Sequence, residues 1–430
     1  MTATLPPGPR MPRALQTVGW VLRTGPFLER CRERYGDTFT LKVAQELTWV
    51  MVSDPEVVQE VFKGDPRLLH AGEANEVLLP LVGRHSVLQL DEAPHMRERK
   101  LMLPAFHGER MTRYGEVMRD AAERELERWP EGEPIQLRPR MQAVTLEVII
   151  RAVFGFRERE RIELARERLT HVLDITTDWR SMLALAVLGP RRVYEWRYFQ
   201  RELDPVNELI FEEIRRRREA QDLEERDDVL SLLVQARHED GSPMSDEELR
   251  DELMTLLAAG HETTATALAW ALERLVRHPD KLERLAEGDE DYVDAVIKET
   301  LRLRPVLPIV VRKLQEEMEI GGMRLPAGVS VAPCIYLVHR RADVYPDPYR
   351  FRPERFLEQP AGTYTWIPFG GGVRRCLGAT FAMFEMKAVL QAIVGRLSLR
   401  PARPEPERIR RRAITLVPAR DAEVLVEAAA

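Results

Sequence analysis

A chain of 430 residues is long enough for several average domains or for one unusually large one. Hydrophobic residues at 44% and charged residues at 31% fit a folded globular protein with apolar material to spare for enclosing a cavity. The net charge of −6 argues against a general nucleic-acid binder, and three scattered cysteines, Cys31, Cys334 and Cys376, exclude a disulfide framework and fit a reducing cytoplasm.

The opening MTATLPPGPRMPRALQTVGWVLRTG reads as a Pro-rich leader over residues 1–24. It lacks the ~20 consecutive apolar residues of a membrane span and a secretory core, so no membrane anchor is expected. A helix over 25–35 and two strands over 38–43 and 48–52 follow, the strands rich in β-branched and aromatic residues. From 54 to 304 apolar residues recur at helical spacing with few Gly or Pro. After Pro305 the punctuation returns: EIGGMRLPAGVSV and RRAITLVPARDAEVLV read as hairpins around a helix over 378–396. No linker and no repeat interrupts the chain, so residues 1–430 read as a single domain, mainly α with minor β.

One helix stands out. It opens at Ser245 with the capping box S-x-x-E and runs to His278-Pro279, roughly 50 Å at 1.5 Å per residue. Mid-span, AAGHETTAT breaks the apolar pattern with residues of low helix propensity. A purely structural central helix gives no reason for that interruption.

The segment WIPFGGGVRRCLGATFAMFEMK carries the sharpest signal. Gly370, Gly371 and Gly372 permit positive φ and close backbone approach, and Cys376 precedes an apolar helix whose amide end favours a thiolate. With no second Cys or His beside it, such a thiolate suits one axial bond to haem iron better than a zinc site. An isolated Cys in a turn is otherwise a small buried hydrophobe.

Phe369-x-x-Gly372-x-Arg374-x-Cys376-x-Gly378 resembles the haem-binding signature of the cytochrome P450 family at every fixed position. The resemblance extends from Pro6 to Val426 and implies a P450 fold, with haem b (iron protoporphyrin IX) between the long central helix and the Cys-loop helix. It makes Cys376 the metal ligand, with Phe369 beside it and Arg374 on a haem propionate. His95 and Arg99 of DEAPHMRERKLMLPAF, and Arg312, resemble further propionate ligands; haem brings two carboxylates into an apolar site, so several donors are needed. Glu299 and Arg302 of KETLRLRP, with Arg355 of PERF, resemble the family's structural charge network. Ala259-Gly260-His261-Glu262-Thr263-Thr264 resembles the A/G-G-x-D/E-T-T motif: Gly260 leaves room over the iron, Thr263 offers a hydroxyl near dioxygen, and Glu262, in place of the commoner Asp, feeds protons through water.

By that resemblance the chain is a monooxygenase that inserts one atom of dioxygen into a lipophilic substrate, by hydroxylation or epoxidation. Ala259, Val306, Leu307, Ile309, Val310, Ile414 and Thr415, with loops over 68–90 and 169–193, are the expected pocket. Electrons are expected from a separate ferredoxin-type donor with its reductase, docking on a basic face of Arg97, Lys100, Arg110, Arg375 and Lys387. A cytoplasmic monomer without nucleic-acid partners is the matching expectation. Two alternatives stand beside it: a haem-thiolate peroxygenase or isomerase, against which the intact Glu262-Thr263 pair speaks, and a haem electron carrier or gas sensor, against which the apolar covering segments speak.

Overall fold

Ser245 and Glu248 start the longest helix by bonding reciprocally: Glu248 N–H donates to the Ser245 hydroxyl at 3.1 Å, and Ser245 N–H donates to the Glu248 carboxylate at 2.7 Å. The helix they open, Asp246–Val276, is the central helix of a computed structural model that describes residues 4–44, 47–108 and 110–427. The expected span of 1–430 runs past these limits at both ends. Within 169–193 the side chains at 176, 177, 179 and 182 also lie outside the description.

The second half of the central helix is buried all round, from Thr264 to Val276. An evenly apolar circumference suits a helix packed on every side. Helix Leu137–Val148, the Cys-loop helix Ala379–Val394 and strand Thr415–Pro418 all press against it. Trp270, fully buried, donates its indole N–H to Leu416 O at 3.0 Å, which fixes the strand to the helix.

The principal sheet has five strands in the order Thr38–Lys42, Thr48–Val52, Ser330–Pro333, Arg312–Leu314, Leu69–His70. Only the pairing of Thr48–Val52 with Ser330–Pro333 is parallel, with Val50 opposite Val331. Two sequence expectations are corrected here. In EIGGMRLPAGVSV, Met318–Ile320 and Met323–Leu325 pair as a hairpin, but Ser330–Pro333 leaves it for the principal sheet. In RRAITLVPARDAEVLV, Ile409–Arg412 pairs with Thr415–Pro418, while Glu423–Glu427 joins Pro134–Gln136 and Ser398–Pro401. The strand period shows in both segments, but partners chosen at long range do not.

The Pro-rich leader also differs from expectation. Residues 13–22 form helix Arg13–Leu22, which packs Trp20 edge-on against Trp49 and places Gln16 Nε2 on Pro9 O and Met11 O. The expected loops over 68–90 and 169–193 are largely helical, through Glu73–Leu78, Leu79–Val82, Trp179–Leu188 and Pro190–Glu195.

Glu299 and Arg302 meet as a fork inside helix Glu290–Leu303, at 2.7 and 2.9 Å, and both side chains are fully shielded from solvent. Arg302 also donates to His339 O and Pro348 O, while Glu299 accepts from Arg352 N–H and Arg355 Nε. The coil leading to the Cys loop therefore hangs on this one charged centre. Replacing Arg302 by Met leaves the Glu299 carboxylate buried with part of its pairing gone, a loss of about 3–5 kcal/mol. A large fall in thermal midpoint is expected, and a change under 1 °C would show that the network does not carry the coil.

Candidate active site

The Cys loop is built by backbone that only glycine tolerates. Gly372 sits at φ +66°, and a Cβ there would lie 2.1 Å from Phe62 O. The Cys376 N–H donates to Phe369 O at 3.0 Å and closes the loop, with the Phe369 ring set edge-on to Trp366. Helix Ala379–Val394 begins three residues after Cys376, so the cysteine precedes the helix and does not belong to its first turn. Its sulfur opens onto a cavity instead of bulk water.

Burial raises the Cys376 thiol above its ordinary value, and the Gly378 N–H, Arg99 and Arg375 work against that rise. The helix-end argument alone therefore does not secure a thiolate; in this setting a cation at the sulfur would do so. Cys31 and Cys334, pushed by burial to about 11 and about 12, face the core and do not border the cavity.

The cavity has a volume of about 1420 Å³, against ~300–1,000 Å³ for ordinary small-molecule pockets. Every residue expected to hold the cofactor borders it: His95, Arg99, Ala259, Gly260, Arg312, Phe369, Arg374, Cys376 and Gly378. Helix Glu92–Met102 delivers His95 and Arg99 from successive turns. Burial, then the charges of Arg374, Arg99 and Arg312, drives the His95 imidazole down to about 3, so it stands neutral with one N–H to donate.

Arg312 is supplied by the principal sheet and is almost wholly buried; its pKa falls to about 10 through burial and then Arg374. Among the described residues its guanidinium donates to the carbonyls of Val311 and Gly371 and lies over the Phe62 ring. The Arg99 guanidinium makes no hydrogen bond among the described residues. Arg374 alone has an acid, Asp91, and it also donates to the carbonyls of Val87 and Leu90. Asp91 was not legible as a site residue. It occupies the N-cap position of the His95 helix, yet its carboxylate accepts from Ala71, Gly72 and Glu73 N–H and from Arg374.

Across the cavity, Ala259, Gly260, Glu262 and Thr263 face the Cys loop from the central helix. A Cβ on Gly260 would meet Ile149 Cδ1 at an ordinary 3.6 Å, so glycine leaves space there without being forced by a clash. The Thr263 hydroxyl donates to Ala259 O, one turn back, which keeps its lone pairs as acceptors. Glu262 is turned toward helix Leu137–Val148, where Gln142 Nε2 donates to it at 2.6 Å and Arg138 at 3.3 Å. Arg138 and Gln142 were missed because their partner lies 120 or more residues away.

The expected pocket residues Val306, Leu307, Ile309, Val310, Ile414 and Thr415 all line the same cavity. The expected basic face is only partly free. Lys100 pairs with Glu239 at 3.0 Å and Lys387 with Glu290 at 2.7 Å, while Arg110 Nε is buried without a partner. Arg97 and Arg375 are exposed and make no ion pair among the described residues.

The donor set fits haem. One open sulfur, a glycine-rich floor and unanswered cationic donors match a flat cofactor that carries iron and two carboxylates. Comparison with known proteins agrees. The family model described as Cytochrome P450 matches residues 6–426. The Mycobacterium bovis protein named "Putative cytochrome P450 135B1" is 44% identical, over 99% of this chain and 92% of its own length. A Mycobacterium tuberculosis protein of the same series, 135A1, is 40% identical over 94% and 91%. Among solved structures, retinoic acid-bound cyanobacterial CYP120A1 superposes with a TM-score of 0.83 at 22% identity, covering 99% of this chain and 100% of that one. The heme domain of cytochrome P450DA gives 0.81 at 24%, over 100% and 99%. The chain belongs to the cytochrome P450 family, and it is a haem-thiolate monooxygenase.

Proposed function

We propose that this monooxygenase holds haem b through Cys376 and oxidises a lipophilic substrate by hydroxylation or epoxidation. The observation that carries the reading is the cavity wall: Cys376 is the cysteine bordering the cavity, and Arg99 and Arg312 face it with no carboxylate bonded to either among the described residues. A non-covalent haem suits that wall, since Cys31 and Cys334 are buried elsewhere.

Bound haem supplies the activation of dioxygen. The chain's own groups do the rest. Arg99, Arg312, Arg374 and neutral His95 donate to the propionates and fix the ring. Thr263, its proton engaged by Ala259 O, accepts a hydrogen bond at the cavity face. Glu262 moves a proton at Oε1, the oxygen that Thr266 Oγ1 reaches at 3.3 Å, while Gln142 steadies Oε2. Val306, Leu307, Ile309, Val310, Ile414 and Thr415 exclude water and favour an apolar molecule such as a fatty acid or terpenoid.

Electrons arrive, on this proposal, from a separate ferredoxin-type protein reduced by its own reductase. The free cations Arg97 and Arg375 are the docking contacts, and Lys100 and Lys387 contribute after release from Glu239 and Glu290. A cytoplasmic monomer is the setting proposed. No helix among the described residues is long and apolar enough to cross a membrane.

Cys376→Ser should abolish the red-shifted carbonyl spectrum, and Cys31→Ser and Cys334→Ser should keep it; a retained spectrum in Cys376→Ser overturns the ligand assignment. Arg99→Ala removes one charge-assisted contact of about 1.5–3 kcal/mol and should speed haem loss to apomyoglobin. Equal loss rates would remove Arg99 from the haem site. Thr263→Ala should consume reductant and oxygen but release hydrogen peroxide in place of product. Glu262→Gln should slow turnover by about 10²–10⁴-fold with a larger solvent isotope effect. Full coupling in Thr263→Ala would confine its hydroxyl to the Ala259 carbonyl.

A further inference from the structure

Away from the haem cavity, Glu98 presents a problem of its own. It lies on the His95 helix, one residue before Arg99, and only 5% of it is exposed. Its Oε2 is buried with no hydrogen-bond partner. An unanswered carboxylate oxygen at that depth is costly, because it has lost water and gained nothing in return.

Glu98 points toward two other groups. One is Glu248, the capping residue of the central helix; the other is His238, in the turn between helix Val229–Gln235 and the central helix. One ligand atom from each of these three residues lies within 4.8 Å of the other two. His238 Nε2 stands 3.5 Å from Glu248 Oε2, a long ion-pair contact on the scale of two ligands sharing one ion. Glu252, one turn along the central helix and wholly buried, also has an Oε2 without a partner. His85, the other nearby imidazole, is held by Asp251 and does not answer Glu98.

We propose that Glu98, His238 and Glu248 form a site for a divalent transition-metal cation of the zinc type. One imidazole and two carboxylates make an N/O donor set that suits such ions, with water completing the shell from the half-buried His238 and Glu248 side. The cation would answer the free Glu98 oxygen and offset its repulsion by the nearby Glu248. Structurally, the ion would tie the helix that carries His95 and Arg99 to the start of the central helix. The Lys100–Glu239 pair already spans the same gap from outside.

The test uses tag-free, haem-loaded protein equilibrated with Zn²⁺, dialysed, and assayed for zinc and iron by elemental mass spectrometry. One zinc per haem iron is expected, with a raised thermal midpoint. Glu98→Gln and His238→Asn should each weaken zinc binding by at least about 10–100-fold, the loss that even ligand-orienting residues cause. Glu239→Gln, an exposed acid outside the cluster, should bind zinc as the wild type does. Both variants should keep the thiolate carbonyl spectrum, which separates loss of this site from loss of the haem site. Wild-type protein that retains no zinc overturns the proposal, as does equal retention in Glu98→Gln and His238→Asn. Zinc lost equally in Glu239→Gln would likewise overturn it, by showing binding to surface acids in general.

Discussion

Cationic side chains gathered around one cavity set the terms for the rest of this fold. Arg374 is repelled by Arg99 and repels Arg312, all three depress the basicity of His95, and among the described residues Asp91 is bonded to Arg374 alone of them. Desolvating each ion costs several kcal/mol unless opposite charge is nearby. On the proposed reading, two haem propionates would supply the missing counter-charge. The His95 helix, a strand of the principal sheet and the Cys loop are also tied directly, through Arg374 to Asp91 and Arg312 to Gly371 O.

The opposite wall obeys a different constraint. The central helix must be rigid enough to face the cofactor and still carry polar residues through an apolar core. Its solution is a seam of side-chain bonds to helix Leu137–Val148. Thr145 meets His261 at 2.9 Å, Gln142 and Arg138 hold Glu262, and Arg138 continues to Asp421. Beyond that seam the helix loosens into a π-turn over Ile149–Val153, opposite Gly260. Such turns widen a helix locally, and here the widening falls where the cavity needs room. Glu262 is thus a structural tie, and the proton role proposed for it would have to proceed from within a bonded network.

Much of this was legible from local signals. The capping box, the central helix, the Cys loop and the Glu299–Arg302–Arg355 network all lie in short segments whose spacing shows in the sequence. What escaped is long-range. Asp91 looks like a helix cap, because an Asp before a helix ordinarily caps it; only the fold brings Arg374 to it from 283 residues away. Arg13–Leu22 was hidden by flanking prolines that suggest a leader, although Trp20 and Gln16 are both buried. The ion pairs on the basic face were hidden for a similar reason. Charge runs are visible in the sequence, but Glu239 and Glu290 arrive from distant elements to neutralise Lys100 and Lys387.

The three cysteines show how one residue type takes different fates from position alone. Cys334 ends a strand of the sheet core, and its thiol reaches only Pro308 O, at 3.8 Å. Cys31 sits on the buried face of helix Thr24–Tyr35. Burial raises all three, and amides and arginines oppose the rise at Cys334 as they do at Cys376; what sets Cys376 apart is that its sulfur meets open space. With burial holding the Cys376 thiol up, a metal cation at the sulfur is what would favour the thiolate, so on the proposed reading iron binding and sulfur ionisation would be coupled. Arg99 would serve both ends of that coupling, since it opposes the rise at the sulfur and faces the cavity where the propionates are proposed to lie.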